Sequence, residues 1–254
     1  MHYRLIPVLV IALLHGTNVR GESTLTDSNI QYGHFEVSRA IADLVDPSTI
    51  ESMSDVLQVD EDITWKMYVP DGYKPDEPAG LLVYVSPTPE GYMPRGWKPV
   101  FDEHNLILIS AEKSGNRTPT KKRMLLAALA PYAASENYEL DPSRIYVSGF
   151  SGGGKVASLA AIQFASLFKG AIYICGADPR PNVDTTRLAE AKQNRYVFVT
   201  GSQDFNRSLT QKIFNNYEED GMSNINLMII RGMGHETPDE KRFRMAINFL
   251  DQRE

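Results

Sequence analysis

Ser151 lies in the run Gly149-Phe150-Ser151-Gly152-Gly153-Gly154-Lys155, a serine enclosed by glycines. A serine hydroxyl becomes a working nucleophile only beside a base that takes its proton, and the base works best when a carboxylate fixes its tautomer. The chain holds five histidines. His2, His15 and His34 precede any clear strand pattern, and His104 stands just before an apolar run. His235 alone follows the serine, in the turn Gly232-Met233-Gly234-His235. Three acids beyond the serine, Asp178, Asp184 and Asp204, fall in segments that read as loops. The chemistry these types permit is acyl transfer through a covalent serine intermediate.

These groups need elements to carry them to one place. Ile145 to Val147 is a short apolar run that reads as a buried strand, and Val156 to Ala161 reads as helix. A turn that sharp at Ser151 requires small residues two before and two after it, because strand and helix backbones pass close together. Ile63 to Val69 alternates like a half-buried strand. Leu81–Val85, Leu106–Ser110, Ala171–Cys175, Tyr196–Thr200 and Ile225–Ile230 read as further strands, most of them covered on both faces. Helical spacing links them, at Leu125 to Tyr132, Leu209 to Tyr217 and Phe243 to Leu250. The alternation predicts an α/β domain with a mostly parallel central sheet and helices on both faces. Asp178, Asp184, Asp204 and His235 then share the sheet edge that carries Ser151. A short helix is expected around Val37 to Val45. Another is expected to open at Thr118-Pro119 and to kink or end at Pro131. Ser86 to Asn105 reads as one long loop, and Cys175 as a small core residue.

The pattern Gly149-x-Ser151-x-Gly153 between strand and helix resembles the nucleophile elbow of the α/β-hydrolase family. The longer run Asp141 to Gly154 is similar to that of secreted esterases of the polyhydroxybutyrate depolymerase and feruloyl esterase kind. The resemblance covers about Ile63 to Leu250 and implies the α/β-hydrolase fold with the chain order serine, acid, histidine. It implies Ser151 as nucleophile, His235 as general base and Asp204 as the orienting acid, since the turn Gly201-Ser202-Gln203-Asp204 resembles the acid-bearing turn of the family. Asp178 is the alternative, because some members place the acid one strand earlier. Gly152 would supply one oxyanion donor. The other should come from the segment after Val85, where relatives show His-Gly and this chain reads Ser86-Pro87-Thr88-Pro89. Proline has no N–H, which leaves Thr88. The stretch Gly176 to Asn194 is too short for a large lid, so the resemblance implies an open site for a bulky or polymeric ester. No cofactor is implied.

Other readings use the same letters. Gly149 to Lys155 fits a phosphate-cradling loop, but Val156 stands where magnesium would need Ser or Thr. A peptidase or thioesterase would use the same trio. A catalytically silent fold could bind a glycan or a protein through Tyr92, Trp97 and the proline-rich segment. Composition narrows the field: 254 residues with 42% hydrophobic and 23% charged suit one large globular domain, and a net charge of −6 without a basic stripe argues against nucleic acid. One cysteine forbids an intramolecular disulfide, and no ligand spacing suggests a metal. Met1-His2-Tyr3-Arg4 followed by the apolar Leu5 to Leu14 has the order of an export signal, too short to span a bilayer. The expected organisation is a signal over 1–21 and a single domain over 22–254 with an irregular N-terminal extension, secreted or periplasmic, with no stable membrane insertion after cleavage.

Overall fold

The computed structural model describes residues 30–58 and 60–252, so the signal expected over 1–21 lies outside the described residues. Among the described residues eight strands form one sheet: β1 (Gly33–Ala40), β2 (Asp62–Val69), β3 (Ala79–Val85), β4 (Leu106–Ala111), β5 (Leu140–Phe150), β6 (Gly170–Ile174), β7 (Arg195–Gly201) and β8 (Ile225–Ile230). Their order is β1-β2-β4-β3-β5-β6-β7-β8. β2 runs antiparallel to both its neighbours, and every pair from β4 through β8 is parallel. All seven residues of β3 are buried, as its continuous apolar run requires of a central strand.

Helices cover both faces. α1 (Ile41–Leu44), α2 (Pro47–Met53), α4 (Thr120–Ser135), α5 (Gly152–Gln163), α6 (Thr185–Gln193) and α7 (Arg207–Glu219) pack on one side, and α3 (Lys98–Glu103) and α8 (Glu240–Asp251) on the other. Alternation along β3 feeds both layers: Leu81, Val83 and Val85 join the first core, Leu82 and Tyr84 the second. In the second, Trp97 is fully buried and stacks on Phe243, with ring centroids 3.6 Å apart. Its indole N–H donates to the Pro238 carbonyl at 3.0 Å.

Three local expectations change. The segment expected to be helical at Val37 is the end of β1, zipped to β2 from Gly33↔Val69 to Ala40↔Asp62, and only Ile41–Leu44 coils. α4 begins at Thr120 with Pro119 as its cap, and it runs through Pro131 to Ser135. Leu125 to Ala130 and both alanines after Tyr132 are buried there, so packing outweighs the lost backbone bond. The long segment after β3 contains α3.

At the edge opposite the elbow, Asp251 closes α8 onto the sheet. Its carboxylate accepts from His104 Nδ1 (2.8 Å), Arg144 Nε (2.9 Å) and Nη2 (2.8 Å), and Tyr146 Oη (2.8 Å). Burial alone would raise its pKa, but these donors and the Arg144 charge hold it far below the ordinary carboxylate range. An unfolded Asp titrates near ~3.9, so below that pH the unfolded chain binds more protons than the native one. The stability this cluster contributes is therefore present above about pH 4 and lost as pH falls further. Replacing Asp251 by Ala leaves the half-buried Arg144 cation, the buried His104 ring and the buried Tyr146 hydroxyl without their shared acceptor and is expected to cost about 3–5 kcal/mol in urea unfolding at neutral pH. The difference between variant and wild type should shrink when the titration is repeated at acid pH.

Candidate active site

β5 ends at Phe150 and α5 begins at Gly152, so the chain reverses over a single residue, Ser151, at φ 56° and ψ −118°. A side-chain-bearing residue holds such a conformation at a cost of about 1–3 kcal/mol, which surrounding structure must offset. Here the offset is close packing. A Cβ on Gly149 would overlap the Gly153 carbonyl, one on Gly153 would overlap the Val85 carbonyl oxygen, and one on Gly154 would overlap that of Gly176. Ser151 N–H donates to the Ile174 carbonyl at 2.8 Å, tying the turn to β6. A turn this tight leaves no wide loop for a nucleotide phosphate, and Lys155 faces Asp178 at 3.8 Å.

The last two strands of the sheet deliver the partners. After β7, Gly201 to Asp204 forms a turn stitched to the turn after β8: Gln203 N–H donates to the Met233 carbonyl (3.0 Å) and Gly232 N–H to Ser202 Oγ (2.9 Å). This pairing aims His235 across the sheet edge. Its Nδ1 lies 2.8 Å from Asp204 Oδ1 and its Nε2 lies 2.8 Å from Ser151 Oγ. The structure thus brings Ser151, His235 and Asp204 into one hydrogen-bonded line, while Asp178 sits against Lys155 and Asp184 caps α6 by accepting from Arg187 N–H.

Asp204 has no exposed side-chain surface, whereas His235 keeps 21%. Burial pushes the Asp204 pKa up, but hydrogen bonds from Asn206 N–H (3.0 Å), His235 and Thr200 Oγ1 (2.8 Å), with the thiol of Cys175, bring it below the ordinary value. A carboxylate so held is ionised at neutral pH and keeps the Nδ1 proton of His235 in place. Asn206, two residues after the acid, makes the local turn bond Asp commonly accepts. That signal was in the sequence; Thr200 and Cys175 gave none. Cys175, at φ 53°, is buried, with a thiol pKa pushed up to about 12 by desolvation and by Asp204. It is a neutral donor, and its sulfur also approaches the Glu236 carbonyl at 3.3 Å. Cys175, Asp204 and His235 place their donor atoms within 4.8 Å of one another, a proximity the sequence spacing did not disclose. This donor set is spoken for by the hydrogen bonds just described.

Aromatic rings bracket the imidazole. Phe205 stacks on His235 with centroids 4.1 Å apart, and Phe150 approaches at 4.9 Å from within the elbow. Phe205 is 76% exposed, an apolar surface at the mouth of the site.

Gly152 is the first residue of α5, and its N–H has no acceptor inside the helix. Thr88 does not offer the second donor expected of it. Its N–H donates to Ser86 Oγ at 3.0 Å, its hydroxyl bonds Ser86 Oγ and the Glu90 carbonyl, and the residue faces solvent. The serine before Pro87 folds back and caps the segment, which the letters alone did not reveal.

A sheet in this strand order, with its serine at a left-handed bend after the fifth strand, is the α/β-hydrolase fold. Among solved structures the chain is similar to the S-formylglutathione hydrolase of Staphylococcus aureus, with a TM-score of 0.62 at 12% identity over 86% of this chain and 98% of that one. It is also similar to the poly(3-hydroxybutyrate) depolymerase of Bordetella parapertussis, with a TM-score of 0.60 at 15% identity over 88% and 91%. The feruloyl esterase module of Clostridium thermocellum gives 0.59 at 11% identity over 91% and 90%. No family model and no curated protein matches the sequence.

Gly153→Ala tests the packing that closes the elbow. The added methyl meets the rigid Val85 carbonyl, so the variant should lose about 1–3 kcal/mol or more of stability by urea unfolding.

Proposed function

We propose that this chain is an exported serine esterase. The observation that carries the reading is the unbroken line from Ser151 Oγ through His235 to buried Asp204, each step 2.8 Å, under a backbone bend that exposes the hydroxyl. Ser151 Oγ attacks the acyl carbon while its proton passes to His235 Nε2. Asp204 stabilises the imidazolium, and the Gly152 N–H receives the developing oxyanion. His235 returns the proton to the leaving alcohol. Water, activated by the same imidazole, then clears the acyl-enzyme. None of these steps calls on a cofactor.

A bulky or polymeric ester is the proposed substrate. The connection from β6 to α6 is short and the exposed ring of Phe205 borders the imidazole, so an extended acyl or alcohol group has an apolar wall to lie on. Two of the similar structures are named as a polymer depolymerase and a feruloyl esterase, which supports the same substrate class. Export is supported by the order of charge and apolar residues at Met1 to Leu14; no helix of the described residues is long and apolar enough to cross a membrane. A binding role for Trp97 falls away, because that indole is buried against Phe243.

A fluorophosphonate probe should label the wild type at Ser151 and label neither Ser151→Ala nor His235→Ala; equal labelling of all three would sink the mechanism. Asp204→Asn should keep the fold and lower kcat by about 10⁴-fold on an activated acetate ester. Phe205→Ala should raise KM for aryl esters by about tenfold while leaving kcat for acetate nearly unchanged, since removing uniform binding moves KM alone. No change on either substrate would remove Phe205 from the substrate wall.

A further inference from the structure

We propose that Asn116 Nδ2 is the second oxyanion donor, and that Arg123 is the positioning residue that aims it. This rests on the esterase reading above and names the part of that site which the segment after β3 leaves unfilled: Pro87 and Pro89 lack an N–H, and that of Thr88 is taken.

Asn116 follows β4 in a loop laid directly on that segment. Its backbone N–H donates to the Pro87 carbonyl at 3.0 Å, and Ser114 N–H donates to that of Pro89 at 3.3 Å. The Asn116 side chain lies over Gly152. A Cβ on Gly152 would collide with Asn116 Oδ1 and stand 3.1 Å from Nδ2. The position after the nucleophile has no general need of glycine in a G-x-S-x-G elbow; here it is glycine because a carboxamide occupies the space of its side chain. That carboxamide therefore stands beside the residue whose N–H is the first donor.

Arg123 explains the orientation. It is only 4% exposed, and its guanidinium donates to four uncharged oxygens: Ser114 O (2.7 Å), Ser86 O (2.8 Å), Gly152 O (3.3 Å) and Asn116 Oδ1 (3.5 Å). A guanidinium has no acceptor, so the carboxamide must turn its oxygen towards Arg123, and planarity turns Nδ2 away from it. Asn116 itself is exposed, and among the described residues its Nδ2 donates to no acceptor, so those hydrogens are free for a ligand. A buried cation bonded to neutral partners keeps its positive potential behind the elbow, where negative charge develops in the tetrahedral intermediate.

The test compares wild type, Asn116→Ala and Asn116→Asp on p-nitrophenyl acetate, with fluorophosphonate labelling, thermal unfolding and the Ki of a trifluoromethyl ketone. Asp keeps the shape and the acceptor for Arg123 but has no N–H and adds a negative charge, so the neutral Ala variant separates a lost donor from added repulsion. The expected result is a kcat lower by about 100- to 1000-fold in both variants, with KM and unfolding temperature little changed and the ketone weakened by a similar factor. Either variant retaining kcat within about threefold of wild type would overturn the assignment while leaving the esterase intact. A wild type that takes no label and turns over no ester would overturn both.

Discussion

The structure depends on how closely three backbones pass at the end of β5. Gly149 touches Gly153, Gly153 touches Val85 and Gly154 touches Gly176, each in a place where one methyl group would collide. That crowding compels Ser151 into a left-handed bend and puts its hydroxyl at the sheet edge. The remaining parts of the site are arranged around a point set by this contact. Strand pairing in parallel register delivers the turns after β6, β7 and β8 to the same edge, and the stitch between the last two turns spans the distance from carboxylate to imidazole.

Charge is handled differently at the two edges of the sheet. At the elbow edge, Asp204 is wholly buried yet ionised, because a backbone N–H, a hydroxyl and the imidazole all point at it, with the Cys175 thiol close by. Arg123 lies buried nearby with uncharged oxygens as partners. At the opposite edge Asp251 and Arg144 pair directly, with His104 and Tyr146 completing the shell. The first arrangement keeps fields directed at the cleft, and the second cancels them inside the protein.

Much of this was legible in the letters. Continuous apolar runs gave β3 through β7, since strands buried on both faces need nothing else, and the glycines around Ser151 could be read as a steric demand. His235 and Asp204 followed from strand order and a resemblance in their turns. Other features depend on contacts distant in sequence. Pro131 sits within a helix because it and ten other α4 residues are buried there, which no local rule expresses. β1 alternates in burial, but its pairing with β2 was needed to decide against helix. Thr88 was chosen because its neighbours lack an N–H; Ser86 Oγ claimed that N–H first. Asn116 gave no signal, for nothing in its neighbourhood of sequence mentions Gly152.

The bonds that fasten α8 join residues 147 and 107 positions apart. Without that helix, Arg144 and Tyr146 have no carboxylate to donate to. Closing contacts of such length are slow to form, because the loop entropy comes before any reward. The far edge of the sheet is therefore clamped by contacts that no local segment can make by itself, and cutting the chain before α8 would remove the carboxylate that three side chains share.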